Sequence, residues 1–256
     1  MKIAVLIKQV PDTEDERHLT AAGAVDRTAG AQVADEITER ALEAALRLKD
    51  ADKSVEIVAV TMGAASAAEA LRKALSMGAD SAIHLMDELL AGADALTTAR
   101  ALSGALKDEG FDLVIAGNES TDGRGGVVPA MVAELLQRPL LGPLNSLDVQ
   151  GSTIRGERQG VDGTQNLVAA LPAVISVTEQ SGEARFPKFK GIMTAKRKPL
   201  AVHGAEVVGL PMLNHADGNL VLRAAKRPAR TAGTKVLDDG NAAQQLAAYL
   251  SAENLI

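Results

Sequence analysis

The sequence predicts a doubly wound α/β fold with a mostly parallel sheet. Short apolar segments without polar alternation recur along residues 1–182, and such segments are typical of strands that helices cover on both faces. Between them lie segments whose apolar residues return every three or four positions, as in amphipathic helices. Because strand and helix signals alternate, we expect parallel strands joined by helical crossovers.

The strand pattern occurs five times, at residues 2–7, 55–61, 81–85, 113–116 and 173–178. The first helix is expected around an apolar stripe of Ile37, Ala41, Ala45 and Leu48. The second is expected around a stripe of Ala67, Leu71, Ala74 and Leu75. Gly78 follows this second stripe, where a left-handed cap would end the helix.

The pattern changes near residue 140. Pro143, Gly151, Gly156 and Gly163 punctuate short runs up to residue 168, which predicts a hairpin or a small antiparallel addition to the sheet. Residues 182–239 carry little secondary-structure signal and predict an extended arm, and such long irregular segments usually serve function or an interface. Residues 241–251 again have the apolar spacing of a helix.

Composition and charge exclude several classes of protein. The net charge of −6 argues against nucleic-acid binding. No apolar run approaches the roughly 18 residues that span a bilayer, and the N-terminal run is expected to be a strand rather than a signal peptide. The absence of cysteine excludes disulfides and thiol nucleophiles. These features predict a cytoplasmic protein without direct membrane insertion.

No catalytic constellation stands out in the sequence. It lacks the phosphate loop G-x-x-x-x-G-K-[ST], a G-x-G-x-x-G fingerprint after the first strand and the esterase motif G-x-S-x-G. Its four histidines are far apart and lack the spacing of a zinc site. We therefore assign no catalytic residues and no metal ligands.

The segment LVIAGNESTDGRGGVVPAM, residues 113–131, is the first of two features that suggest a function. A buried strand enters a loop rich in glycine, and a helix follows. Glycine lets the backbone approach a ligand closely, and the first N–H groups of a helix suit an anion such as a phosphate. Asp122 and Arg124 are candidates to contact a ribose or a phosphate. The alternative is a turn that uses glycine only for tight geometry.

The second feature is the basic segment RFPKFKGIMTAKRKPL, residues 185–200, which holds six cations and no acid inside an acidic protein. Phe186 and Phe189 are two of only four aromatic residues in the chain. Exposed aromatics often anchor interfaces, and surrounding cations attract an acidic partner over long range. The alternative is a basic surface loop whose phenylalanines fold back into the core.

With these features, the sequence resembles the β subunit of electron transfer flavoprotein. The resemblance runs over nearly the whole chain, from KIAVLIKQVPD through AGNESTDGRGGVVPA to the terminal RTAGTKV, and its most specific segment is EARFPKFKGIMTAKRKP. It implies an adenine-nucleotide-binding α/β domain over residues 1–182. Residues 183–256 are then a partner-recognition loop and a C-terminal arm that packs on an α subunit.

The resemblance also implies cofactors and partners. Members of the family form a heterodimer with an α subunit that holds most of the FAD contacts. The heterodimer takes electrons from acyl-CoA or other flavin dehydrogenases and passes them to a quinone oxidoreductase or a related acceptor. In many members the β subunit binds AMP. We therefore expect AMP in this subunit and an FAD shared with the α subunit.

By motif position, the AMP contacts fall on Leu6, Asp35, Glu36, Ile37, Thr38, Met62, Gly117, Asn118, Glu119, Ser120, Thr121, Asp122, Gly123, Arg124, Gly125, Gly126, Val127 and Val128. The phosphate is expected at Gly125, Gly126 and Val127. The residues implied in docking a dehydrogenase are Phe189, Ile192, Met193, Lys196, Arg197 and Lys198, with Phe189 as the apolar anchor.

The chain departs from the family pattern at three places. Asp35-Glu36 replaces a common Asn-Pro before the first helix, and Gly126-Val127-Val128 replaces a polar Asn-Gln-Thr. Gln165 stands where some members have a glutamate that faces the flavin. The alternatives left open are a bifurcating relative with a second FAD in place of AMP, a stand-alone nucleotide sensor, and an adenylating enzyme of related fold.

Overall fold

The computed structural model describes residues 1–205, 221–225 and 227–256. Its strands are β1 (Lys2–Leu6), β2 (Gln9–Pro11), β3 (Gln32–Ala34), β4 (Glu56–Met62), β5 (Ser81–Leu85), β6 (Leu113–Gly117), β7 (Leu140–Leu144), β8 (Ser146–Gln150), β9 (Thr153–Gly160), β10 (Gly163–Ala170), β11 (Ala173–Val177) and β12 (Leu200–His203). Its α-helices are α1 (Glu36–Ala51), α2 (Ala68–Met77), α3 (Ala95–Leu106), α4 (Val128–Leu135), α5 (Phe189–Ala195) and α6 (Ala242–Ala252).

The main sheet has seven strands in the order β12-β5-β4-β1-β6-β11-β7, and all of its neighbouring pairs are parallel. Side chains alternate across the sheet, so Ile3 and Val5 pack in the cluster that contains α1 and α2. Ala4 and Leu6 pack in the cluster that contains α3 and α4 on the opposite face. The predicted doubly wound α/β fold is confirmed.

The small antiparallel addition is also confirmed. Strands β8, β9 and β10 form a separate three-stranded antiparallel sheet that directly follows β7. Ile154 of β9 is fully buried in the same cluster as α1 and α2, which joins this sheet to the core.

The expectation of an arm without regular structure over residues 182–239 is wrong for two segments. Helix α5 lies within it, and β12 pairs with β5 at the edge of the main sheet. Both elements are too short to produce a periodic apolar pattern, and two of the four residues of β12 are exposed. Part of the predicted arm, residues 206–220 and 226, lies outside the described residues.

The chain divides into two compact units, Met1–Leu222 and Arg223–Ile256. The second unit contains the predicted C-terminal helix as α6, whose Leu246 and Tyr249 are each more than half exposed. The functional division that the resemblance implies at residue 182 stays a prediction. Among the described residues, no helix has the length and apolar character needed to cross a lipid bilayer.

Candidate functional site

The glycine-rich loop lies where the strand order of the main sheet reverses. From β1 the chain proceeds outward through β4 and β5, and then crosses over to β6 on the other side of β1. The loops that follow β1 and β6 therefore leave in opposite directions, which opens a crevice at the carboxyl ends of these two strands. Ligands of open α/β sheets bind in such crevices.

Asp35 connects the start of α1 to this loop. One carboxylate oxygen accepts a hydrogen bond from the N–H of Ile37 at 2.9 Å, so Asp35 caps the helix. The other oxygen accepts from the backbone N–H of Thr121 at 2.7 Å and from its hydroxyl at 2.8 Å. Asp35 is fully buried, and its own N–H donates to the carbonyl of Lys8 at 2.8 Å. The chain segments after β1, before α1 and after β6 thus meet at one residue, Asp35.

Asp122 forms a second connection, between the loop and two cations. Its side chain is fully buried and accepts from Lys8 Nζ at 2.7 Å, from Arg27 Nη2 at 2.6 Å and from the N–H of Gly123 at 2.6 Å. Burial of the carboxylate opposes ionisation, but hydrogen bonds from Lys8, Ser120 and Arg27 prevail and hold the pKa of Asp122 well below its usual range. Asp122 is therefore a carboxylate whose charge is neutralised within the protein.

The loop ends in a row of backbone donors. Within the described part of the chain, the N–H groups of Gly125, Gly126, Val127 and Val128 donate to no protein acceptor. They lead into the first residue of α4, whose N-cap residue Val127 offers no side-chain hydrogen bond. Free N–H groups and the positive end of the helix dipole together attract an anion.

Glycine has a specific role at two positions here. A Cβ atom on Gly117 would lie 2.9 Å from Cγ2 of Ile37, so the residue allows α1 to approach β6. Gly126 has φ +65°, which glycine adopts without strain. By contrast, apart from its two chain neighbours, no described residue has an atom within 4 Å of a Cβ built on Gly125, so the space beside it is open.

The remaining predicted contacts surround the same crevice. Leu6 ends β1 and Met62 ends the adjacent β4, both at the carboxyl edge of the sheet. Thr38 lies in the first turn of α1 and donates to the carbonyl of Asp35 at 2.8 Å, whereas Glu36 is exposed. Asn118 donates its N–H to Val177 of β11 at 2.8 Å. The contact of these residues with a nucleotide is still a prediction.

The basic segment forms a second, separate surface. Phe186 is 92% exposed, Phe189 is 80% exposed, and Ile192 and Met193 are each more than half exposed. The phenylalanines thus do not fold back into the core of the described structure. Large apolar side chains grouped on a surface mark an interaction site.

Both ends of this segment are tied to helices of the main unit. Before α5, Arg185 donates to both carboxylate oxygens of Glu43 on α1, at 2.7 and 2.9 Å. After α5, Lys198 Nζ donates to the carbonyls of Leu75 and Ala79, at 2.9 and 2.6 Å. Of the three cations predicted to dock a partner, Lys196 and Arg197 are exposed, and Lys198 points into the protein.

Comparison with known proteins identifies the family. The model of the electron transfer flavoprotein domain matches residues 23–208. The chain belongs to the family of electron transfer flavoprotein β subunits. It is 48% identical to the electron transfer flavoprotein subunit beta of Mycobacterium leprae (strain TN), with 99% of each chain covered.

More distant relatives extend the same picture. The electron transfer flavoprotein subunit beta of Syntrophomonas wolfei is 34% identical, over 93% of this chain and 91% of its own. The subunit CarD of the caffeyl-CoA reductase-Etf complex of Acetobacterium woodii is 31% identical, over 92% of each chain. The role in electron transfer and the pairing with an α subunit follow from this family.

Sequence reasoning did not find three cations that contact the loop. Lys8 lies two residues after the end of β1, at the start of the crevice, and its place there can be inferred only once the strand order is known. Arg17 and Arg27 lie on the excursion between β2 and β3, where Arg17 donates to the carbonyl of Thr121 and Arg27 pairs with Asp122. That excursion has no periodic pattern, so no local signal pointed to them.

The buried Asp122 predicts a pH-dependent contribution to stability. Its folded-state pKa is depressed, so the contribution is complete above the unfolded pKa of about 3.9 and is lost progressively as the pH falls from there towards the much lower folded-state pKa. We expect Asp122→Asn to lower the free energy of unfolding by about 1–3 kcal/mol at pH 7, because Lys8 and Arg27 lose a charged acceptor. Urea unfolding at pH 7 and pH 2.5 measures the difference.

Asp162→Asn is the matched control, since Asp162 is exposed in the turn between β9 and β10. This variant should unfold like the wild type at both pH values. A deficit for Asp122→Asn that is equally large at pH 2.5 would contradict the assigned charge interaction.

Proposed function

We propose that this β subunit binds AMP on the glycine-rich loop, with the AMP phosphate at residues 125–128. The observation that carries the proposal is the row of four backbone N–H groups without a protein acceptor at the start of α4. A phosphate provides the oxygen acceptors that such groups lack. The open space beside Gly125 leaves room for it.

The acids near this loop are compatible with a bound dianion. Asp35 is buried and both of its oxygens are used by Ile37 and Thr121, and Asp122 is neutralised by Lys8 and Arg27. Glu36 is exposed, where water screens its charge. The two acids that replace the family's Asn-Pro therefore do not exclude a phosphate.

We further propose that the subunit helps to complete the FAD site of an α subunit. FAD supplies the electron chemistry when it is bound, so the protein has to provide geometry and surfaces rather than acid–base residues. Residues 223–256 are proposed to pack on the α subunit, with the exposed Leu246 and Tyr249 of α6 as apolar contacts. Electrons would pass from flavin dehydrogenases to a quinone oxidoreductase or a related acceptor.

The exposed surface of α5 is proposed to dock the dehydrogenase. Phe189, Ile192 and Met193 offer apolar area, with Phe189 as the anchor. Lys196 and Arg197 are exposed beside them and would attract an acidic surface before contact.

Nucleotide release from the heterodimer tests the cofactor proposal. Mass spectrometry of the denatured wild-type complex should find one FAD and one AMP. Gly125→Asp should lose most of its AMP and keep its FAD, because a carboxylate in the open space beside Gly125 repels the phosphate. Gly125→Asn, which has the same size without the charge, should retain much more AMP.

Two results would contradict this proposal. Two FAD molecules and no AMP would indicate the bifurcating alternative. Equal AMP in the aspartate and asparagine variants would place the phosphate elsewhere. A stand-alone sensor predicts instead that the chain forms homodimers in gel filtration and needs no α subunit.

Truncation of Phe189 tests the docking proposal. Phe189→Ala should raise the apparent KM for a dehydrogenase about 30-fold, as expected when an interface anchor worth about 2 kcal/mol is removed. The FAD content should not change. Phe189→Leu, which retains apolar volume, should recover most of the loss. Equal KM values in the wild type and Phe189→Ala would remove Phe189 as the anchor.

A further inference from the structure

The docking helix α5 needs support from outside itself. It has seven residues, and among them only Ala195 is buried. Helices of this length are not stable alone in water, because nucleation costs more than so few hydrogen bonds return. An anchor such as Phe189 binds a partner more tightly when its position is fixed before contact, because less conformational entropy is lost on binding. The support for α5 therefore determines the docking geometry.

Helix α2 provides this support through two reciprocal contacts at helix C-termini. Arg72 of α2 donates from Nη1 to the carbonyls of Ala195 and Lys198, at 2.9 and 3.3 Å, where α5 ends. Lys198 in turn donates to the carbonyls of Leu75 and Ala79, at 2.9 and 2.6 Å, where α2 ends. The last carbonyls of a helix lack intrahelical partners and carry the negative end of its dipole. Each cation therefore donates hydrogen bonds to carbonyls at the C-terminal end of the other helix.

Gly191 provides a third contact between the two helices. A Cβ atom there would lie 2.1 Å from the carbonyl oxygen of Ser76, which is a backbone atom and has little freedom to move. The absence of a side chain thus lets the backbone of α5 lie directly on the end of α2. All three contacts involve α2 and leave the apolar side of α5 exposed.

The neighbouring cations behave differently from Lys198. Lys196 and Arg197 are exposed, and their side chains donate to no acceptor among the described residues. Lys198 is partly buried, close to the ion pair of Lys49 and Asp80. Burial and the charge of Lys49 lower the pKa of Lys198, against the influence of Asp80. One basic cluster in the sequence is therefore two groups in the structure.

We infer that Lys198, together with Arg72 and Gly191, positions the docking helix on α2, whereas Lys196 and Arg197 meet the partner. The inference rests on the proposed docking function. Lys198 then supports the docking helix from within the subunit and does not contact the partner, although it is adjacent in sequence to the docking cations Lys196 and Arg197.

The test compares two neighbouring charge removals, Lys198→Gln and Arg197→Gln, in the heterodimer with its α subunit. Amide hydrogen exchange over residues 189–195 reports whether α5 is held in place, with or without a dehydrogenase. We expect at least tenfold faster exchange in Lys198→Gln and wild-type exchange in Arg197→Gln. Gly191→Ala should accelerate exchange as well, and Lys198→Arg, which keeps a donor, should restore slow exchange.

Salt dependence of dehydrogenase affinity gives the second readout. Arg197→Gln should flatten the dependence, because it removes a charge that attracts the partner. Lys198→Gln should weaken dehydrogenase binding and leave the slope of affinity against salt concentration unchanged. Wild-type exchange in Lys198→Gln, or a slope flattened as in Arg197→Gln, would overturn the inference. If Phe189→Ala leaves the apparent KM for the dehydrogenase unchanged while Lys198→Gln still accelerates amide exchange in α5, the docking proposal fails and the support of α5 by α2 stands.

Discussion

The buried carboxylate of Asp35 is the interaction on which the glycine-rich loop depends. Its two oxygens satisfy the first turn of α1 and Thr121 of the loop, and no water reaches it to replace either partner. A buried carboxylate without its partners costs several kcal/mol. The loop is therefore held against α1 whenever the fold is formed. These contacts hold the first half of the loop, at Thr121 and Asp122. The N–H groups of its second half, at residues 125–128, are left without acceptors among the described residues.

The same arrangement recurs at the basic segment around α5. There too, charged side chains are used internally to hold a short segment, and the groups proposed to meet a ligand or a partner are left without protein contacts. Arg185 and Glu43 fix the segment before α5, and Lys198 fixes it afterwards. The family's electron chemistry belongs to a flavin. This chain contributes positioned backbone and charged groups at two places, the glycine-rich loop and the basic segment around α5.

Much of the fold could be predicted because buried parallel strands have continuous apolar segments and their covering helices have apolar stripes. Both signals are local, and the glycine-rich loop between them is local as well. Helix α5 and strand β12 were missed because seven and four residues, partly exposed, do not form a periodic pattern. Lys198 was grouped with Lys196 and Arg197 by composition, and only its contact with α2 separates them. Asp35 had a readable signal, since an aspartate before an apolar helical stripe is a typical N-cap. Its bond to Thr121, 86 residues away, had none.

We propose that the backbone donors at residues 125–128 hold the phosphate of AMP. The most direct measurement is the backbone amide NMR shifts of these four residues in the heterodimer after removal of AMP, with AMP or adenosine then added. We expect AMP to shift the resonances of all four amides, and adenosine, which lacks the phosphate, to leave them largely unmoved. AMP binding with no shift at these amides, or equal shifts with adenosine, would contradict it.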